Sequence, residues 1–262
     1  MPIITLTTDL GNTDHYVSAV KANILRQLES VNIIDISHNI PTFNVLHAAF
    51  VLKNVYKDFP PGSIHIIGVN AESNEKTPHI AVYADEHFFI GTDNGLFSLL
   101  LDIKPDKIVH ITTSMESDNE NFPINDVFVK AACHIARGGT LELIGSPAAD
   151  FMNKSSKLVP LHERNSIRGS IVHIDHYGNA ITNINQRIFN EVAKGRKYSI
   201  HLGNREHYSL SSIKKKYNEV PLGDALAMFI STGNLTISLN MGSASSLMGL
   251  EINDTVRIEF YD

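Results

Sequence analysis

The N-terminal half of the chain alternates short β-branched runs with longer amphipathic stretches, and this alternation restricts the fold more than any other feature. Pro2–Leu6, Val31–Ile36, Ser63–Val69, His79–Ala84, His87–Ile90 and Lys107–Ile111 read as strands, and Asp14–Leu28, Phe43–Tyr56, Gly95–Leu101 and Asn125–Arg137 as helices. Strands that alternate with helices need crossover connections on the faces of a sheet, so the expected fold class is α/β, with a mostly parallel sheet flanked by helices. Ligands of such sheets gather beyond the carboxyl ends of the strands.

From about Gly138 the pattern fades into a polar stretch, Met152-Asn153-Lys154-Ser155-Ser156-Lys157, which reads as a connection. Short strands follow at Gly169–Ile174, Ala180–Ile184, Tyr198–Leu202, Ala225–Ile230, Leu235–Leu239 and Thr255–Phe260, several of them separated by turn residues. They predict a smaller, β-barrel-like domain. The expected division is an N-terminal α/β domain over 1–150, a linker over 151–166 and a C-terminal β-rich domain over 167–262.

The formal charge of −6 argues against a nucleic-acid partner, which needs basic groups to neutralise phosphates. The run Lys214-Lys215-Lys216 reads as solvated surface. A single cysteine, Cys133, rules out an intrachain disulfide framework, and its setting in Val129–Ala136 predicts a buried helix residue rather than a nucleophile. No apolar stretch reaches membrane-spanning length and the start carries no signal-peptide pattern, so the expectation is a cytoplasmic protein with no membrane partner.

General catalytic signatures are absent: there is no phosphate loop, no G-x-G-x-x-G, no G-x-S-x-G and no H-E-x-x-H. The thirteen histidines are scattered, and no metal site is expected from them. The opening segment says more. An apolar strand ending in Thr7-Thr8-Asp9-Leu10-Gly11, with Asp14 before a helix, places carboxylates at a strand's carboxyl end, where Asp9 can accept hydrogen bonds from both hydroxyls of a ribose. Asp14 can alternatively cap the helix. A second turn, Asp175-His176-Tyr177-Gly178-Asn179, offers an acid, an aromatic face and an amide, and it also fits an ordinary hairpin turn.

Further segments fall in a telling order: Ile40-Pro41-Thr42-Phe43-Asn44-Val45, Phe59-Pro60-Pro61-Gly62, Asp93-Asn94-Gly95-Leu96, Thr182-Asn183, Val220-Pro221-Leu222-Gly223 and Asn240-Met241-Gly242-Ser243-Ala244. Taken with the two turns above, the chain resembles the S-adenosylmethionine (SAM) hydrolases, or SAM hydroxide adenosyltransferases, which are related to the SAM-dependent fluorinase and chlorinase. The resemblance implies a homotrimer with SAM sites between the N-terminal domain of one subunit and the C-terminal domain of its neighbour, and SAM or adenosine as ligand without a separate cofactor. By position, Asp9 holds the ribose diol and Phe43 packs beside the ligand. Tyr177 and Asn179 contact the adenine, Asp175 and Ser231 bind the methionine ammonium and carboxylate, Tyr217 supplies another aromatic, and Asn240 and Met241 complete the adenine pocket.

The resemblance breaks where water is activated. The family attributes that step to an Asp-Arg-His set carried by V-D-P-G-V-G-T-x-R and F-H-G-R-D segments. Here the first reads Val69-Asn70-Ala71-Glu72-Ser73-Asn74-Glu75-Lys76-Thr77 and the second Phe122-Pro123-Ile124-Asn125-Asp126. Asn70 replaces the aspartate, Thr77 or Lys76 the arginine, and Pro123 the histidine. An amide is no base and proline carries no polar side-chain group. Asn70 can still orient a water, and Glu72 or His79 can substitute as base if the altered loop folds back, although both also fit a polar loop surface. The expected function is SAM hydrolysis to adenosine and L-methionine. The alternatives are a non-catalytic SAM- or adenosine-binding protein and a related nucleoside-cleaving enzyme with another nucleophile. A halogenase fits less well, because Ile124 stands where a halide-binding serine would align and offers the anion no hydrogen bond.

Overall fold

The computed structural model describes residues 1–112, 121–154, 159–203 and 209–261. The chain divides into two compact units, Met1–Ser155 and Ser156–Asp262.

In the first unit, β1 (Ile3–Thr8), β2 (Asn32–Ser37), β3 (Ile64–Gly68), β4 (His79–Ala84), β5 (His87–Thr92), β6 (Lys107–Ile111) and β7 (Gly145–Pro147) form a seven-stranded sheet in the order β2-β1-β3-β5-β4-β6-β7. The pairs β2-β1, β1-β3 and β3-β5 are parallel, and the remainder are antiparallel. The antiparallel part begins at the two-residue turn Asp85-Glu86, where both residues take positive φ (52° and 62°), the backbone of a tight hairpin. Strands β1 and β3 are apolar and buried almost throughout, because helices cover both faces. On one face α1 (Tyr16–Gln27) buries Val17, Val20 and Ile24, a spacing of three and four, alongside α4 (Val129–Ala136). On the other, α2 (Val45–Lys53), capped by the Asn44 side chain on His47 N–H, packs on β1 and β2 and on α3 (Leu96–Leu100).

The helix expected at Asn125–Arg137 opens with a π-helical turn, Ile124–Phe128, before α4. The extra residue in that turn swings Ile124 over the end of β3: a Cβ placed on Gly68 would fall 2.5 Å from Ile124 Cδ1. Cys133 is fully buried in α4, and burial pushes its thiol up to about 11.

The second unit contains β8 (Leu161–Glu163), β9 (Ser166–Ile174), β10 (Ala180–Asn185), β11 (Lys197–Leu202), β12 (Ser209–Leu210), β13 (Ile213–Lys214), β14 (Ala225–Phe229), β15 (Asn234–Leu239) and β16 (Thr255–Tyr261). They follow the order β12-β11-β16-β9-β10-β15-β14-β13, with β8 on β9, and β12 comes back near β14, so the sheet is barrel-like and nearly closed. Two helices here have no counterpart in the sequence reading: α5 (Gln186–Ala193) and α6 (Ala244–Met248). The first plugs the core with Ile188, Phe189, Val192 and Ala193.

Much of the stretch read as a linker is folded. Met152 N–H donates to Asp93 Oδ1 (2.8 Å), Lys154 N–H to Ser98 Oγ (2.7 Å) and Lys154 Nζ to the Asn94 carbonyl (2.8 Å), tying this end to the first unit. Residues 155–158 of that stretch lie outside the described residues. No helix among the described residues is long and apolar enough to cross a membrane.

Candidate functional site

In the first unit, β1 and β3 end side by side and bring Asp9 and Asn70 together, and the segment after β2 adds Phe43. The half-buried Asp9 carboxylate is held through one oxygen: Oδ2 accepts from Phe43 N–H at 2.9 Å and from Asn70 N–H at 3.3 Å. Both donors belong to non-glycine residues with positive φ, 64° for Phe43 and 48° for Asn70. That backbone is unfavourable for a side-chain-bearing residue and is kept only where the surroundings require it. Here it turns two amides inward on one carboxylate oxygen. No described residue donates to Oδ1, so the second oxygen is available to a ligand.

The loop is braced on two sides. Gly11 N–H donates to the His38 carbonyl (2.8 Å) and Ile40 N–H to the Thr8 carbonyl (3.4 Å). The buried Asn94 amide donates to the Val69 and Asn70 carbonyls at 3.3 and 3.1 Å, which fixes the turn carrying Asn70. The pKa of the neighbouring Asp93 carboxyl is raised by its burial, and the group accepts from Met152 N–H, so it serves as a strut. Phe43 itself is 71% exposed, an aromatic face left open to a ligand.

The groups weighed as substitute bases divide. His79 is buried, its Nε2 lies 2.8 Å from the Ala71 carbonyl, and its ring meets Phe128 edge-on. A carbonyl only accepts, so Nε2 carries the proton and points it into the scaffold; Thr92 Oγ1 donates to the same carbonyl at 2.9 Å. His79 is therefore a loop strut. Glu72 is exposed at the start of a tight turn organised by Asn74, whose side chain accepts from Lys76 and Thr77 N–H. The buried Ile124 makes an apolar wall at the end of β3, and the half-buried Pro123 precedes it in the chain. Asp14 is exposed and does not cap α1, which begins at Tyr16 with His15 at its N-cap and no side-chain cap.

In the second unit, the turn after β9 is built on Asp175. Its Oδ1 accepts from Tyr177 N–H (3.0 Å) and Asn179 N–H (2.9 Å), and its Oδ2 from Asn179 Nδ2 (2.8 Å). The carboxylate thus shapes the turn and fixes the buried Asn179 with its side-chain carbonyl still available. Gly178, at φ 79°, packs where no side chain fits: a Cβ would sit 2.0 Å from Ser243 Oγ. Tyr177 is left 77% exposed. Beside it opens a cavity of about 580 Å³, lined by Tyr177, Asn179, Tyr217, Asn240, Met241 and Leu239, largely apolar with two amides at its wall. Asn240 is anchored by Nδ2 to the Val220 carbonyl (2.8 Å), and Met241 is 88% exposed at φ 59°. Such a mix of flat aromatic, thioether and amide groups suits a purine.

Ser231 does not join this cavity. β10 pairs Ala180 with Ile237 and Asn185 with Asn234, so the exposed turn carrying Ser231 opens at the other end of β10, about 17 Å along the strand. Sequence reasoning also passed over Thr8 and His38 as a pair; the run Asp35-Ile36-Ser37-His38 at the end of the expected strand Val31–Ile36 was the available signal. Among the described residues no group of three His, Cys, Asp or Glu side chains could hold a metal ion.

Comparison with known proteins gives two matches to domain families, the SAM hydroxide adenosyltransferase N-terminal domain over residues 4–145 and its C-terminal domain over 169–257. The chain is 30% identical to the (R)-S-adenosyl-L-methionine hydrolase of Methanocaldococcus jannaschii, covering 98% of this chain and 96% of that protein. It is more distant from a fluorinase of Nocardia brasiliensis, at 23% identity over 98% and 97%. Among solved structures, an uncharacterized conserved protein from Thermotoga maritima superposes with a TM-score of 0.87 at 26% identity, over 98% of this chain and 99% of that one.

Proposed function

The chain belongs to the SAM hydroxide adenosyltransferase family, and from that premise we propose that it hydrolyses S-adenosylmethionine to adenosine and L-methionine. The observation that carries the reading is Asp9: a carboxylate with one oxygen fixed by two inward-turned amides and the other free for the two hydroxyls of a ribose. The cavity beside Tyr177, Asn179 and Asn240 suits the adenine. In this reading Asp9 and Phe43 act on the same ligand as Asp175, Tyr177, Asn179, Tyr217, Asn240 and Met241 of a second subunit in a cytoplasmic homotrimer, with Ser231 at the methionine end.

The chemistry asks little of acids and bases on the leaving side. Oxygen of water bonds to C5′, the C5′–S bond breaks with its electron pair going to sulfur, methionine leaves as a neutral thioether, and one proton is released. Catalysis then rests on placing the water in line and excluding competing solvent. Asn70, next to Asp9, is the residue whose amide can orient that water, and Ile124 and Pro123 supply the dry wall. The same residues favour a second reading, a SAM- or adenosine-binding protein without turnover, because none of them can take a proton.

Incubation with SAM in ¹⁸O-water, with and without chloride, and mass resolution of the products decides between these. Adenosine labelled at the 5′ oxygen, with equimolar methionine, is the expected result. Intact SAM with measurable affinity supports the binder, 5′-chloro-5′-deoxyadenosine a halogenase, and absence of binding refutes the assignment.

A further inference from the structure

We propose that His38 is a positioning residue for the ribose site, aiming the Asp9 carboxylate through the hydroxyl of Thr8; the inference rests on the reading of Asp9 given above. Thr8 and His38 are 1% and 4% exposed, and Thr8 Oγ1 lies 2.7 Å from His38 Nδ1. A buried pair that short is costly to break, because each polar group would be left without water.

The pair closes a ring around Asp9. Thr8 precedes Asp9 directly, and its hydroxyl also accepts from Leu10 N–H at 3.4 Å. The His38 carbonyl takes Gly11 N–H, and the Thr8 carbonyl takes Ile40 N–H. From His38 the chain runs through Ile40 to Phe43, whose N–H returns to Asp9 Oδ2. Residues on both sides of Asp9, and one of the two amides that orient its carboxylate, therefore depend on where His38 sits.

An outer pair backs the ring. His38 Nε2 is 3.1 Å from Asp35 Oδ1, outside hydrogen-bond geometry, and Asp35 Oδ2 is 2.5 Å from Lys21 Nζ. The Thr8 contact is the buried one, so it carries the positioning.

Side-chain geometry makes this separable from a general structural role. Asparagine places an amide atom near the position of Nδ1 and can still meet Thr8, whereas glutamine reaches the position of Nε2 and cannot. The full-length protein, as wild type and as His38→Leu, His38→Asn, His38→Gln, Thr8→Val and Asp9→Asn, is titrated calorimetrically with adenosine and with 2′-deoxyadenosine, and thermal unfolding is recorded for each. The readout is the preference for adenosine, which reports the aim of Asp9 on the diol and which a loss of stability alone would leave unchanged.

Wild type is expected to prefer adenosine by about tenfold or more. His38→Leu, His38→Gln and Thr8→Val lose most of that preference and approach Asp9→Asn, while His38→Asn keeps it within about threefold. The Thr8→Val/His38→Leu double variant is no worse than either single one. A wild type that prefers adenosine while Thr8→Val or His38→Gln keeps the full preference overturns the role of His38 and leaves the ribose reading standing. A wild type that binds neither nucleoside, or both equally, overturns the ribose reading and the inference with it. Should His38→Leu fail to fold, Thr8→Val, which preserves shape, and the Asn/Gln contrast decide alone.

Discussion

Acidification should destabilise the first unit through a buried histidine that is unconnected with the ligand. His65 on β3 is fully buried, with Nδ1 2.8 Å from Thr5 Oγ1, Nε2 3.1 Å from His87 Nδ1, and its ring stacked on Phe89. Burial, then the neighbouring His87, lowers its pKa from 6.5 to about 3. The folded value is depressed, so the unfolded chain takes up the proton first. The stabilisation is complete above about pH 6.5 and is lost as pH falls from there towards 3. At pH 5 the linkage amounts to 1.36 times the logarithm of roughly 33, or about 2 kcal/mol from this one group. His87, whose pKa burial also lowers, adds to the slope; Asp85, held below its usual value first by Lys57 and then by Tyr56, titrates only in stronger acid. Urea unfolding at pH 7.5, 6.0 and 5.0, followed by circular dichroism, measures the effect for wild type and His65→Phe. The variant loses the Thr5 contact and is less stable at pH 7.5, yet its loss between pH 7.5 and 5.0 should be smaller than that of wild type by about 2 kcal/mol. Equal losses in the two proteins would refute the argument.

Asp9→Asn should weaken adenosine binding about tenfold or more, since the amide oxygen stays on the Phe43 and Asn70 N–H groups and the NH2 left facing the diol cannot accept from its hydroxyls, with little change in Tm because the group is half-exposed. Gly178→Ala should destabilise the second unit by about 1–3 kcal/mol in urea, as both the positive φ and the Ser243 contact forbid a methyl group. Asn94→Ala leaves two carbonyls without their buried donor, so kcat for SAM cleavage should fall with a stability loss of about 1–3 kcal/mol; unchanged kcat would show that the Asn70 turn is set elsewhere. Asn70→Asp restores a carboxylate beside the ribose site and should raise kcat by about 100-fold if proton removal limits the rate, with a new acidic limb in the pH profile that wild type lacks.

The fold was legible where burial repeats with a fixed period. Strands β1 and β3 announce themselves as short runs rich in β-branched residues, and α1 by the spacing of Val17, Val20 and Ile24. The turn to antiparallel pairing was also written down, in the two-residue gap Asp85-Glu86, but strand identity alone does not give pairing direction. Helix α5 carried its own signal in the Asn185 cap on Ile188 and the buried pairs at 188–189 and 192–193. It is short and lies among strands, so the β pattern around it dominated. At the site, Asp9 was readable because its chemistry is in its side chain. What orients it was not, since the donors are backbone amides of Phe43 and Asn70, and positive φ at a non-glycine residue leaves no compositional trace. The Thr8–His38 pair likewise exists only once β1 and β2 lie parallel and bring residues thirty positions apart into contact.

This division between frame and chemistry lets the proposed ribose site do without the residues to which the family attributes water activation. The frame is made of backbone hydrogen bonds closed by Thr8, His38 and Asn94, none of which takes part in proton transfer. In the proposed reading the groups facing the reacting carbon are the side chains of Asn70, after β3, and of Pro123 and Ile124, at the start of the π-helical turn, while the frame uses only the backbone of Asn70. A sulfonium is already activated as a leaving group, so attack by neutral water needs a base only to the extent that the proton must leave before the carbon–oxygen bond is formed. If the proton leaves afterwards, to solvent, an oriented water and a dry wall suffice, and the residue at position 70 sets the rate without deciding which bond is broken. Position 70 is thus where rate can vary while the Asp9 frame and its ligand stay constant.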